Sequence, residues 1–225
     1  SEQPWQMPTH CPRCQTAVVR EGEDVATYCP NVACPGRQLE GLVHFASKDA
    51  MDIDGLSYAR LQQLLDADFV HDCADLFDVT VAQLVTLERF GQKSAENLVQ
   101  AMQAAKEQPL SRLLFALGIR HVGAQAAQLL ARQFGSMDAL MAATPEQLAA
   151  VRGIGDIIAQ SVAEYFGNPS VRDLVERMRA RGLRFDEPNA VQADGPLTGT
   201  TVVITGTLPS LSRGEATALV EQAGG

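Results

Sequence analysis

Four cysteines fall in one short window of the sequence. Cys11 and Cys14 form a C-x2-C pair, and Cys29 and Cys34 follow after a 14-residue spacer as a C-x4-C pair. A zinc ion takes four thiolates in a tetrahedron at about 2.3 Å, and two tight cysteine pairs on facing loops supply that set. The pairs read Cys-Pro-Arg-Cys and Cys-Pro-Asn-Val-Ala-Cys, each with a proline to stiffen the loop. A closed four-thiolate site has no open coordination position, so its chemistry is structural and one Zn2+ folds the segment without catalysing anything. An iron–sulfur cluster, a pair of disulfides and unrelated buried thiols are the alternatives. Disulfides need an oxidising compartment, for which the chain carries no address. His10 and His44 could substitute as ligands. Cys73, far away among acidic residues, reads as a small buried hydrophobe.

The second chemistry is phosphate binding. Thr80-Val-Ala-Gln-Leu-Val-Thr-Leu-Glu-Arg-Phe-Gly91 matches Thr144-Pro-Glu-Gln-Leu-Ala-Ala-Val-Arg-Gly-Ile-Gly155 at the same offsets, 64 residues apart. Taking Gly55, Gly91, Gly123 and Gly155 as anchors, alanine lies four residues on in every case, at Ala59, Ala95, Ala127 and Ala159. This predicts four helix-hairpin-helix motifs, each a short helix, a glycine bend and a second helix, with alanine allowing close helix approach. Without a Cβ, glycine lets a phosphate reach the backbone, where the free N–H groups of the next helix start point at it. Such contacts grip the sugar–phosphate chain without reading bases. Gly91, Gly123 and Gly155 are therefore candidate contacts, with Arg120 and Arg152, each three residues before its glycine, and Lys93 as a weaker third cation. The bland alternative makes the glycines turn residues of an all-α bundle and the arginines solvated surface.

The elements that must position these groups follow from local signals. Ala17-Val18-Val19 and Val25-Ala26-Thr27-Tyr28 are strand-like runs around a polar tip, giving the four-cysteine segment a small ribbon. Residues 51–182 carry helical spacings such as Leu110, Leu113, Leu117. Thr80/Gln83 and Thr144/Gln147 are capping boxes, and Pro145 takes a first helical position. The expected fold is mainly α. It comprises a leading segment (1–8), a zinc module (9–43) and a helix-hairpin-helix domain (44–185). A linker (186–196) and the start of an α/β domain (197–225) complete it. That last part consists of a buried strand over 197–208 and a helix from about Ser212.

Composition narrows the function. The chain has 225 residues, with 18 Lys+Arg against 27 Asp+Glu and a net charge of −9. That balance excludes a protein that coats nucleic acid by bulk charge. Only residues 118–185 are net basic, with 8 basic side chains against 6 acidic ones, so the third and fourth hairpins form the electropositive half. Arg172, Arg177, Arg179, Arg181 and Arg184 line a later helix and its exit, as DNA contacts or as a solvated face. No run of ~18 apolar residues marks a membrane span, and no secretory leader opens the chain, so a cytoplasmic protein is expected. A start at Ser1 and a stop at Gly225 suggest a piece of something longer.

In this order, a four-cysteine module, four hairpins, a linker and a Gly199-Thr-Thr-Val-Val-Ile-Thr-Gly206 start resemble the C-terminal half of the bacterial NAD-dependent DNA ligases. By that resemblance the tail begins a BRCT domain, and Pro4-Trp5-Gln-Met-Pro8 leaves an OB-fold. The resemblance implies a nicked-duplex substrate in replication and repair, and a zinc module that positions the OB-fold. It also implies hairpins on the minor-groove side, completing a clamp. NAD+ and Mg2+ belong to the whole family protein, which works through an adenylated lysine in a Lys-x-Asp-Gly motif. Neither Lys48, Lys93 nor Lys106 begins such a motif, so no catalysis is expected from these residues. The competing expectations are a stand-alone module of another repair protein, such as an excision nuclease or junction-binding subunit, and a non-catalytic interaction scaffold.

Overall fold

The computed structural model describes residues 7–20, 27–29, 34–188, 190, 196–197, 200, 202–206, 208 and 210–223. The expected OB-fold exit at Pro4-Trp5, the ribbon tip at 21–26 and most of the linker therefore lie outside the described residues. The chain divides into two compact units, residues 1–48 with 52–103, and residues 49–51 with 104–225. The fold is mainly α, and β-pairing among the described residues is confined to isolated bridges.

In the first unit, α1 (Pro35–Ala46) starts directly after Cys34, with Pro35 at the first helical position, where its missing N–H costs nothing. It therefore runs across the expected boundary between residues 43 and 44. Leu39, Leu42 and Phe45 recur on one face and pack with α2 (Tyr58–Asp66), which buries Leu61 and Leu64. Phe45 meets Phe77 of a 3-10 turn edge to face, at a centroid distance of 6.2 Å. The short helix α3 (Val81–Leu84) opens on the expected capping box. The Thr80 hydroxyl accepts from the Gln83 N–H at 3.3 Å, and Gln83 Oε1 accepts from the Thr80 N–H at 2.9 Å. Next comes α4 (Gln92–Ala105), which buries Ala95, Leu98 and Met102.

In the second unit, α5 (Leu110–Ala116) packs on α6 (Ala124–Phe134), and α6 on α7 (Met137–Ala142). The helices α8 (Pro145–Ala149), α9 (Asp156–Gly167) and α10 (Pro169–Ala180) pack in sequence. Leu110, Leu113, Leu130, Leu140, Leu148, Val162 and Met178 form the core. The capping box at Thr144/Gln147 repeats that of α3, with Pro145 at the first helical position.

The expected linker begins as a strap rather than a free connector. Main-chain N–H groups of Arg184, Met137, Leu110 and Glu187 donate to the carbonyls of Lys106, Phe185, Asp186 and Gly135 at 2.9–3.1 Å. Glu187 is 7% exposed, and its Oε2 accepts from the Ser111 N–H at 3.0 Å. Pro109 precedes α5 and makes no side-chain cap, so Glu187 supplies the acceptor from elsewhere in the chain. Glu187→Ala should cost about 1–2 kcal/mol. Urea unfolding of wild type and variant measures this as a lowered midpoint at unchanged slope.

The tail forms one of its two expected elements. The helix α11 (Arg213–Gln222) is present, opened by reciprocal Ser212–Glu215 capping bonds at 2.7 and 3.2 Å. The Ser212 N–H, then its hydroxyl, hold the Glu215 carboxyl below the ordinary carboxylate range. The expected buried strand is not formed among the described residues. Residues 202–205 carry no strand or bridge assignment, and Val203 is 76% exposed. A strand's main-chain groups need a neighbour to pair with, and an apolar run alone supplies none. No helix among the described residues is long and apolar enough to cross a membrane.

Candidate metal centre and nucleic-acid interface

The sulfurs of Cys11, Cys14, Cys29 and Cys34 all lie within 4.8 Å of one another. Cys11 and Cys34 Sγ are 3.7 Å apart, and Cys14 and Cys29 Sγ 3.5 Å. Four thiolates at the Zn–S distance sit at tetrahedron corners about 3.8 Å apart, so the cluster has the size and donor set of one zinc ion. None of the five cysteines forms a disulfide. His10 is exposed and stands outside the cluster, as does His44 on α1. Cys73 is half-buried.

Local structure prepares the four sulfurs for metal. The N–H groups of Arg13 and then Cys14 face Cys11 Sγ and draw its thiol below the ordinary range, favouring the thiolate. The Arg37 guanidinium donates to the Cys29 carbonyl at 3.1 Å and orients the second loop. Thr16 Oγ1 lies 3.3 Å from Cys14 Sγ. Cys34 is the residue capping α1, so the fourth ligand is built into the start of a helix.

The four bends share one geometry. The N–H groups of Leu56, Phe90, Val122 and Ile154 donate to the carbonyls of Ile53, Leu87, Ile119 and Val151 at 2.9–3.3 Å. The third residue of each bend has positive φ: Gly55 (82°), Arg89 (63°), His121 (64°) and Gly153 (93°). These are type II turns, and each is followed by the residue that caps the next helix. Gly91, Gly123 and Gly155 hold that capping place before α4, α6 and α9. A Cβ added at any of the three would meet nothing within 4 Å. The ends of three helices thus stand open where a phosphate would approach.

The first bend corrects the expected register. Gly55, with its positive φ, is the counterpart of Gly153 and not of Gly155. The residue capping α2 is Ser57, and Leu61 occupies the buried place of Ala95, Ala127 and Ala159. Ala59 is exposed in the first turn of α2. Glycine spacing cannot distinguish a left-handed turn glycine from a capping one two residues later, so the alanine rule holds for three motifs only.

The candidate cations occupy definite places. Arg120 and Arg152 are both second residues of their bends, where the first two bends carry Asp54 and Glu88. Arg152 is exposed and makes no ion pair among the described residues. Lys93 is exposed in the first turn of α4, where the helix dipole disfavours a cation and an approaching anion would relieve it. Two basic groups went unread in the sequence. Arg89 holds a left-handed place in the second bend. Arg60 donates to the Gly55 carbonyl at 2.7 Å, its guanidinium 4.6 Å from the Phe90 ring centroid. The signal for Arg89 was its place two residues before Gly91.

The arginines of α10 and its exit are committed to structure. Arg172 donates to the Phe166 carbonyl and Arg181 to that of Arg177, and Arg177 pairs with Asp173. Arg179 joins Asp138 and Glu176 and lies over Phe185, while Arg184 holds Glu107 at 2.8 Å.

Comparison with known proteins places these features in one lineage. Residues 10–35 match the NAD-dependent DNA ligase C4 zinc finger domain. Residues 47–104 match a SAM-like helix-hairpin-helix tandem, and 112–175 a helix-hairpin-helix motif. Over its whole length the chain is 80% identical to a DNA ligase of Gemmatimonas aurantiaca. It is 47% identical to one of Lysinibacillus sphaericus and 46% to one of Solibacter usitatus, each over 99% of the chain. The chain spans about a third of the length of these relatives, 33–34%. It therefore carries the C4 zinc finger and helix-hairpin-helix domains of the NAD-dependent DNA ligases.

Proposed function

We propose that this chain is the duplex-holding part of an NAD-dependent DNA ligase that seals nicks in replication and repair in the bacterial cytoplasm. The observation that carries this reading is the threefold repeat of a type II bend, a capping glycine with open space before it, and a helix start. Main-chain N–H groups there bind phosphate without regard to sequence. Gly91, Gly123 and Gly155 form the seats, with Arg120, Arg152 and Lys93 as flanking cations. Cys11, Cys14, Cys29 and Cys34 hold one zinc that fixes the module beside α1. The adenylated lysine, NAD+ and Mg2+ act elsewhere in the longer protein, and the OB-fold and adenylation domains are partners within it.

Binding of the chain to nicked duplex across a salt series tests this reading. Affinity should fall linearly on a log–log plot and vary little with base sequence. Arg152→Ala should weaken all duplexes alike and reduce the salt slope by about 1. A preference for branched junctions over nicked duplex would instead assign the chain to a junction-binding protein. Transfer of adenylate from NAD+ to the chain itself would overturn the division of labour.

A further inference from the structure

Two of the four bends place a large basic side chain where the backbone is least tolerant of one. The third residue of each bend has positive φ, a region that glycine enters freely and other L residues adopt at a cost. Glycine holds that place in the first and fourth bends, as Gly55 and Gly153. There an added Cβ would come within 3.3 Å of Arg60 Nη1 and 2.9 Å of Leu129 Cδ1, respectively. The second and third bends instead carry Arg89, with φ of 63°, and His121, with φ of 64°. Both side chains are exposed, and neither makes a hydrogen bond or ion pair among the described residues. No such bond therefore offsets the strain of these two backbones from within the protein.

Basic side chains also follow the capping glycines. Each bend that leads to Gly91, Gly123 or Gly155 carries one at its second or third place: Arg89, then Arg120 with His121, then Arg152. The first bend leads to Ser57 and carries Asp54 and Gly55 there. In the second bend the second place is Glu88, so Arg89 supplies the whole positive charge of that turn. Arg89 precedes α4 and His121 precedes α6, near helix ends whose dipole disfavours a cation until an anion joins it. Resting on the proposed phosphate grip, we propose that Arg89 and His121 are side-chain phosphate contacts, each to the nucleic-acid backbone held at its own bend. The guanidinium offers a fork of donors to phosphate oxygens, and the imidazole offers an N–H. The left-handed backbone is kept for that contact and lowers the stability of the fold. Each contact is local to one bend.

The test compares wild type with Arg89→Gly, Arg89→Ala, His121→Gly and His121→Ala, by thermal melts and by binding to nicked duplex across a salt series. Glycine removes both the side chain and the strain, whereas alanine removes the side chain and keeps the positive φ. The glycine variants should melt about 1–4 °C above wild type, and the alanine variants at or slightly below it. All four should nevertheless bind duplex more weakly, about five- to thirtyfold for Arg89 and about two- to tenfold for His121, as charged and neutral hydrogen bonds require. Loss of the Arg89 side chain should also flatten the salt slope by about 1. Unchanged affinity in both variants of a residue overturns its contact and leaves the main-chain grip standing. Weakening confined to the glycine variants assigns the effect to a looser bend and overturns the contact equally. A glycine variant that melts no higher than wild type overturns the stated cost to the fold. Failure of the wild-type chain to bind duplex overturns the grip and these contacts together.

Discussion

Stripping the metal with a chelator, or replacing Cys11 and Cys34 together with serine, is expected to unfold the four-cysteine module and fray the first turn of α1. Among its described residues the β-pairing amounts to the single bridges His10–Ala17 and Val19–Tyr28, and most of those between 7 and 20 are solvent-accessible. Two cysteines, Cys11 and Cys34, are its buried centre. A structural zinc contributes an apparent ~10–16 kcal/mol near neutral pH, far more than these few bonds. Hydrogen exchange should report loss of protection at the N–H groups of Cys11, Gln15, Val18 and Tyr28, which now bond to backbone carbonyls. The core helices α5, α6 and α9 have their own buried apolar side chains, among them Leu113, Leu130 and Val162, and should stay protected. Protection that survives chelation would remove the metal from the account of folding. Acid should mimic the chelator, because protons compete with zinc for the thiolates.

The double change Gly123→Val plus Gly155→Val is expected to abolish most DNA affinity while leaving the protein folded. Both residues have ordinary extended backbone, with φ of −81° and −93°, and open space where a Cβ would stand. Valine there costs the fold only about 1 kcal/mol per site as a poorer helix cap. It places branched carbons where a phosphate must approach the amides. Losing charge-assisted bonds at two seats, at roughly 1.5–3 kcal/mol each, weakens binding about 10²–10⁴-fold. Gly153→Val is the contrasting control. With φ of 93° and a Cβ that would sit 2.9 Å from Leu129 Cδ1, it strains the fold itself by roughly 1–3 kcal/mol. Fluorescence anisotropy with labelled nicked duplex, beside thermal melts, separates the two effects. Undiminished binding by the double variant would discard the glycine seats.

The sequence revealed whatever depends on near neighbours. Thr80/Gln83 and Thr144/Gln147 were legible because a capping box is closed within four residues. The four cysteines were legible because ligand spacing is a property of two short loops. The register of the first bend was not, since only the sign of φ separates Gly55 from its apparent counterparts. Nor was the strap at 184–187, whose bonds reach Lys106, Leu110, Gly135 and Met137 across the unit. The α10 arginines were ambiguous for the same reason, because Asp138 and Glu107 lie far off in the chain. The run at 202–205 read as a strand on composition, yet composition cannot provide the second strand that a ladder needs.

Because four bends repeat one backbone while Asp54, Glu88, Arg120 and Arg152 alternate at the same solvent-facing spot, polarity there is free of architecture. Evolution can retune how firmly the polymer is held by exchanging single letters, with no repacking of the interior. Each bend behaves as a separate socket of one backbone shape, whose electrical sign is set by a single side chain.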